Sequence, residues 1–184
     1  MHARSLQARL AAGEEAAFAE LYDTHGAQLF RIATAIVGAG RQADAEDALQ
    51  DVFTGLVRVR RSLARVDNLA GYLVASVRRA AIRRRRQPRL AALPDADLTP
   101  DAPSPAHDGA WSAAGSALLE RALAALPDDQ REVLALKFEA GLTFADIASA
   151  LGISPNTAAS RYRYALEKLR ERMTGSRPGD HHKP

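Results

Sequence analysis

Residues 143–157 read Thr143-Phe-Ala-Asp-Ile-Ala-Ser-Ala-Leu-Gly-Ile-Ser-Pro-Asn-Thr157, and the boundaries of two helices are written into them. Thr143 and Asp146 form a variant capping box, in which a hydroxyl and a carboxylate satisfy each other's free backbone N–H groups. Phe144, Ile147, Ala148 and Leu151 follow at helical spacing. Gly152 takes the left-handed position after that helix, which costs a glycine nothing. Ser154 caps the next helix, and Pro155 stands at its first position, where a missing N–H is harmless. Two short helices joined by Gly152-Ile-Ser154 predict a helix-turn-helix. Ala148 is small where the helices cross, and the second helix offers Asn156, Thr157, Ser160, Arg161 and Arg163 to a nucleic-acid groove. An αα-hairpin in an ordinary bundle would use the same caps; the basic exposed face is what favours DNA.

The flanking sequence completes a helical unit over 116–174. Leu118, Leu119, Ala122 and Leu126 predict a short helix ended before Pro127. Asp128 and Asp129 suit the positive end of another, which carries Val133, Leu136 and Ala140 to a stop at Gly141. Beyond Ser154, the residues Ala158, Tyr162, Ala165, Leu166, Leu169 and Met173 form the apolar stripe of the last helix. Residues 175–184 read as a disordered tail, and His181-His182 is too short to argue for a metal.

Residues 1–87 form a second all-helical unit. Phe18, Tyr22, His25, Leu29, Ile32 and Ile36 make one amphipathic stripe, ended by Gly38 and Gly40. Leu49, Val52, Phe53 and Leu56 mark the next helix, capped near Asp44, with Asp47, Gln50, Asp51 and Thr54 on its other side. Asn68 caps a third helix with the stripe Leu69, Leu73, Val77 and Ala80, which should stop before Pro88. No segment shows the period of two that a half-buried strand requires. Between the units, residues 88–115 hold five of the nine prolines with many Ala and Asp, and read as a flexible linker. Trp111 is expected to dock the linker's end on a neighbouring helix, with burial in a partner as the alternative. The fold class is therefore all-α, with two small helical domains.

Charge is distributed unevenly. The formal total is +3. Residues 58–89 carry eleven arginines against Asp67 alone, a local net of +10, and such a block attracts polyanions. The absence of cysteine excludes disulfides, thiolate metal sites and cysteine nucleophiles. No apolar run suits a membrane span, and the N-terminus lacks an apolar signal core. A cytoplasmic protein without membrane insertion is the expectation.

The order of these features carries a resemblance. Ala45-Glu-Asp-Ala-Leu-Gln-Asp-Val-Phe53, then an Arg-rich helix, a proline linker, Leu126-Pro-Asp-Asp-Gln-Arg-Glu-Val-Leu134 and Gly141-Leu-Thr-Phe-Ala-Asp-Ile-Ala148 together resemble a sigma-70 family RNA polymerase sigma factor. The length points to the extracytoplasmic-function (ECF) group. The resemblance implies a region 2 that binds core polymerase and reads and melts the −10 element, and a region 4 that reads the −35 element. It places Asp47, Gln50 and Asp51 at the core-polymerase face and Tyr72, Arg78, Arg79, Arg83 and Arg86 at −10 DNA. Asn156, Thr157, Ser160 and Arg161 would reach −35 base edges, while Arg163 and Lys168 meet phosphates. Partners are then core RNA polymerase and promoter DNA, with an anti-sigma factor as a conceivable third, and no cofactor. Departures fall at Tyr72, where tryptophan is frequent, and at Arg79, where asparagine is common. Ala158, Ala159 and Tyr164 also differ from the usual recognition helix.

Two other functions compete. A free-standing helix-turn-helix regulator explains the second unit but leaves the acid-faced helix and the Arg block without roles. An enzyme with Asp44, Glu46, Asp47 and Asp51 as metal ligands lacks any accompanying nucleophile motif or phosphate-cradling loop.

Overall fold

A computed structural model of the chain describes residues 5–87 and 113–174, which hold eight helices and no strand. The linker's residues 88–112 with Trp111, and the tail 175–184 with His181 and His182, lie outside the described residues. The N-terminal unit contains α1 (Leu6–Ala12), α2 (Glu15–Val37), α3 (Gln42–Leu63) and α4 (Leu69–Arg86). The C-terminal unit contains α5 (Ala113–Ala124), α6 (Asp128–Phe138), α7 (Phe144–Leu151) and α8 (Pro155–Thr174).

Local chemistry fixes the boundaries. Asn68 Oδ1 accepts from the Gly71 N–H at 2.9 Å and starts α4. Thr143 and Asp146 close their capping box reciprocally, and Gly152 follows at φ 67°. Ser154 Oγ accepts from the Thr157 N–H at 3.0 Å. Three expectations need correction. Asp44 does not cap α3, which begins earlier at Gln42; it is a first-turn acid bound by Arg41 at 2.6 Å, favourable beside the helix's positive end. Tyr22 is exposed, because its neighbour Leu21 fills the core instead; it stays at the edge, with its ring 5.1 Å from Phe53. Leu166 is likewise exposed, and α8 is anchored by Ala158, Ala165 and Leu169. Helix α1 carries no stripe long enough to be read from sequence, yet Leu10 is fully buried and Ser5 caps it.

Helices α2, α3 and α4 pack against one another around Leu29, Ile32, Ile36, Leu56, Leu73 and Val77. In the C-terminal unit α8 packs on α5, α6 and α7. The two units also meet, through α2 and α6, and Val133, Leu136, Ile147 and Ala158 belong to the same buried cluster as the N-terminal core. Every residue of α6 from Arg131 to Leu136 is buried. A helical stretch buried on all sides is internal, and α6 packs on α2 as well as on α7 and α8.

Candidate nucleic-acid and partner interfaces

The acid face of α3 is as exposed as its pattern predicts: Asp47, Gln50 and Asp51 all face solvent while Ala48, Leu49 and Val52 are buried beneath. It is not a bare acid face, however. Arg84, from the last turn of α4, binds Asp47 at 2.8 Å and Asp51 at 2.8 and 3.2 Å. The hydrogen bond Arg84 donates to Asp51, followed by the charges of Asp51 and Asp47, raises the Arg84 pKa above its ordinary value despite a lowering by burial. Its backbone is fixed too, since Arg41 donates to the carbonyls of Arg84 and Arg85 at 2.8 Å each. Asp51 Oδ2 takes both bonds from Arg84, so the outer edges of the two carboxylates remain presented to a partner. Asp44, Glu46, Asp47 and Asp51 do not converge: among the described residues no three His, Asp or Glu side chains form a metal-holding group.

Beside this face, Gln50, Asp51, Thr54 and Gly55 of α3 line a polar hollow with Arg58 and Arg83. It joins the acid face to the basic one. Arg79, Arg83 and Arg86 are exposed on α4, and Arg58, Arg61 and Arg65 are exposed around the end of α3. Helix α3 breaks helical geometry at Val59 (φ −101°, ψ 15°), within this basic stretch. Of the residues expected at −10 DNA, two are held by the fold. Arg78 is half-buried and its Nε donates to Glu132 of α6 at 2.8 Å, so it points into the junction between the units. Tyr72 is half-buried and packs on the N-terminal core, which is where a residue one turn into a capped amphipathic helix falls.

In the C-terminal unit, Asn156 and Thr157 are exposed in the first turn of α8, and Ser160 is half-buried. Arg163 is exposed, bonded to Ser160 Oγ at 3.4 Å and lying 6.0 Å from the Tyr164 ring. Arg161 is instead drawn back to Asp129 of α6 at 3.0 Å. Of Arg161 and Arg163, it is therefore Arg163 whose guanidinium is not tied to another helix. Lys168, two turns beyond Arg161, is half-buried. Phe144 and Tyr162 meet edge to face at 5.5 Å and hold α7 against α8.

Sequence reasoning passed over Arg41, Arg84, Arg85, Arg131 and Glu132. Within a run of arginines, composition cannot separate those bound to the fold from those left for a ligand. For Arg131 and Glu132 a signal existed: they lead directly into Val133-Leu-Ala-Leu136, an apolar run too continuous for a helix with one wet face.

With an acid-edged helix, an arginine track and a capped helix-turn-helix in this order, comparison with known proteins decides the family. Residues 21–90 match the family model described as sigma-70 region 2, and residues 116–169 match that of sigma-70 region 4. The chain belongs to the sigma-70 family. It is 32% identical over 167 residues to the ECF RNA polymerase sigma factor SigL of Mycobacterium tuberculosis, covering 87% of this chain and 90% of that one. It is 29% identical over 163 residues to the ECF RNA polymerase sigma factor RpoE of Cereibacter sphaeroides, covering 88% of each. This ECF sigma factor also shares its fold with the sigma factor RpoE of Bartonella quintana, solved with the anti-sigma factor NepR. There the TM-score is 0.59 at 24% identity, over 86% of this chain and 99% of that one. Among its described residues no helix is long and apolar enough to cross a membrane.

Proposed function

We propose that this sigma factor is a binding subunit of the transcription machinery that works in the cytoplasm, with its tasks divided among three helices. Asp47, Gln50 and Asp51 of α3 meet core RNA polymerase, which competes with Arg84 for the two carboxylates. Arg79, Arg83 and Arg86 of α4 follow the DNA backbone at the −10 element, where held single strand offsets the cost of opening the duplex. Asn156, Thr157, Ser160 and Arg163 of α8 read the −35 element, a helix entering the major groove with its N-terminal residues on base edges. Lys168 meets phosphate and adds affinity without sequence choice.

The observation that carries this reading is the continuity of the first two surfaces. Asp51 and Arg83 line one hollow, so a partner on α3 and a DNA strand on α4 would lie side by side. A free-standing regulator has no use for that arrangement. An anti-sigma factor competing for these surfaces is a further partner class consistent with the family. The test is capture: purified chain immobilised and presented with core RNA polymerase retains it, and Asp51→Asn retains less. Loss of retention only with DNA-binding variants, and none with Asp51→Asn, would favour the regulator.

A further inference from the structure

Helix α1 precedes the stretch that matches the region 2 family model, which begins at residue 21, yet it is bound into the N-terminal unit at several points. It packs on α3 and α2, with Leu10 fully buried and Leu6 against the same core. Arg9 ties it to Glu14 at 3.1 Å and to Glu20 of α2 at 2.6 Å. Two further contacts reach the end of α3. Gln7 Nε2 donates to the Val66 carbonyl at 2.8 Å. At the other end of α1, Gly13 turns the chain at φ 82°, and a Cβ there would come within 3.1 Å of Arg60 Nε, so the Arg60 side chain lies across this turn. Arg60 follows directly on Val59, where α3 leaves helical geometry. Helix α1 therefore touches the chain on both sides of residues 61–65, at Arg60 and at Val66.

The segment between those two points is charged. Arg61 and Arg65 are exposed, and Leu63 between them is buried. Carboxylates hold Arg78 and Arg84. Arg58, Arg61, Arg65 and Arg83, by contrast, have no acidic partner among the described residues. Arg84 near the end of α4 meets Asp47 and Asp51 near the start of α3, so the two helices run antiparallel. Residues 64–68 turn from one helix to the other, and Arg58 of α3 shares a hollow with Arg83 of α4. The cations at the end of α3 thus stand beside the α4 track, and a strand following α4 meets a second positive wall.

We propose that α1 is a clip that fixes this second wall: Gln7, through the Val66 carbonyl, is a positioning residue for Arg61 and Arg65, which meet phosphates of a DNA strand lying along α4. The proposal rests on the DNA path given above for α4. Gln7 itself touches no DNA. A single bond to a backbone carbonyl sets where the corner stands and leaves both guanidinium groups free for a ligand.

The test is binding of the full-length chain to a fluorescein-labelled oligothymidylate of about twenty nucleotides, read by anisotropy over a range of salt concentrations. For a single strand, each phosphate contact contributes about 0.7 to the slope of log K against log salt. Arg61→Ala with Arg65→Ala should therefore flatten the slope by about 1.4 and weaken binding at least threefold at low salt. Gln7→Met keeps the length of the side chain but removes the donor. It should flatten the slope by about 0.7 or more, while the protein melts within a few degrees of wild type and binds core polymerase within twofold. Gln7→Ala should act alike, and it serves if the methionine variant does not fold. Combination is the deciding step: a residue that acts only through the two arginines has nothing left to change once they are gone. Adding Gln7→Met to Arg61→Ala plus Arg65→Ala should therefore have no further effect. An unchanged slope in both Gln7 variants, or a Gln7 effect that adds in full to that of the arginines, overturns the clip. A slope indifferent to Arg61→Ala with Arg65→Ala overturns it as well. A loss with those two substitutions, but none with Arg79→Ala plus Arg83→Ala, leaves the clip standing and refutes the α4 path instead.

Discussion

Asp51 is the residue on which the core-binding account can be made quantitative. Its Oδ2 accepts two bonds from Arg84, and its side chain is 42% exposed. At that exposure the pair contributes about 0.2–1 kcal/mol to folding. Asp51→Asn forfeits that and little else. Asp51→Arg adds a like-charge contact with Arg84, about 1 kcal/mol for unit charges 4 Å apart in water. The reversal therefore costs about 1–2 kcal/mol of stability and is the poorer probe. One kcal/mol moves Tm by about 2–4 °C in a chain of this size, so the Asn variant should melt within about 4 °C of wild type. Losing one partner of a desolvated charge pair at an interface costs about 2–5 kcal/mol, which is at least about thirtyfold in core affinity. The assay is titration of labelled chain with core polymerase, beside thermal melts of each variant, with Glu120→Gln on α5 as an exposed control. An Asp51→Asn protein that melts normally and binds core within twofold of wild type would refute the assignment of this face.

Other perturbations follow from the same structure. Arg84→Ala should tighten core binding by about threefold, because an exposed pair of about 0.2–1 kcal/mol no longer competes for the carboxylates; titration with core polymerase checks the sign. Arg163→Ala should cost about 1–3 kcal/mol of discrimination between −35 variants. Arg161→Ala should cost less, since Arg161 is committed to Asp129, and Lys168→Ala should weaken all sequences alike; competition binding with variant duplexes ranks the three. Thr143→Ala removes the cap of α7 and should cost about 1 kcal/mol. The Thr143 hydroxyl, then its N–H, hold the Asp146 carboxylate below its ordinary range. A depressed carboxylate stabilises the fold fully above its unfolded pKa of about 3.9 and progressively less as pH falls through the folded value, so wild type and Thr143→Ala melts should converge in acid. Arg79→Ala with Arg83→Ala should leave core binding intact but impair opening of a duplex promoter, partly rescued on a pre-melted template; permanganate footprinting reads this.

How much of this was legible in the sequence depended on the range of the interaction. Thr143, Asp146, Gly152, Ser154, Pro155 and Asn68 act within one turn of the chain, and their caps stand where the sequence puts them. The exposed face of α3 was equally readable, because Ala48, Leu49 and Val52 define its buried side. Tyr22 and Leu166 were misread because spacing identifies a stripe but not which of two adjacent apolar residues fills it. The fate of individual arginines was not legible. Arg79 and Arg84 look alike in sequence, but Asp47 and Asp51 lie thirty-odd residues away and capture only Arg84. The same holds for Arg78 with Glu132, a pair formed across the two units. Pairings at that distance are set by helix packing, and a stripe on one helix does not say which neighbour it will meet.

The central claim is that this chain gives core RNA polymerase its promoter choice. Multi-round transcription on a pool of short genomic fragments, with purified core polymerase and with or without the chain, tests it most directly. The account predicts discrete transcripts that appear only with the chain, whose starts share a two-part upstream sequence, and that vanish with Asp51→Asn and with Arg79→Ala plus Arg83→Ala. Transcripts that are the same with and without the chain, or chain-dependent ones indifferent to those substitutions, would contradict it.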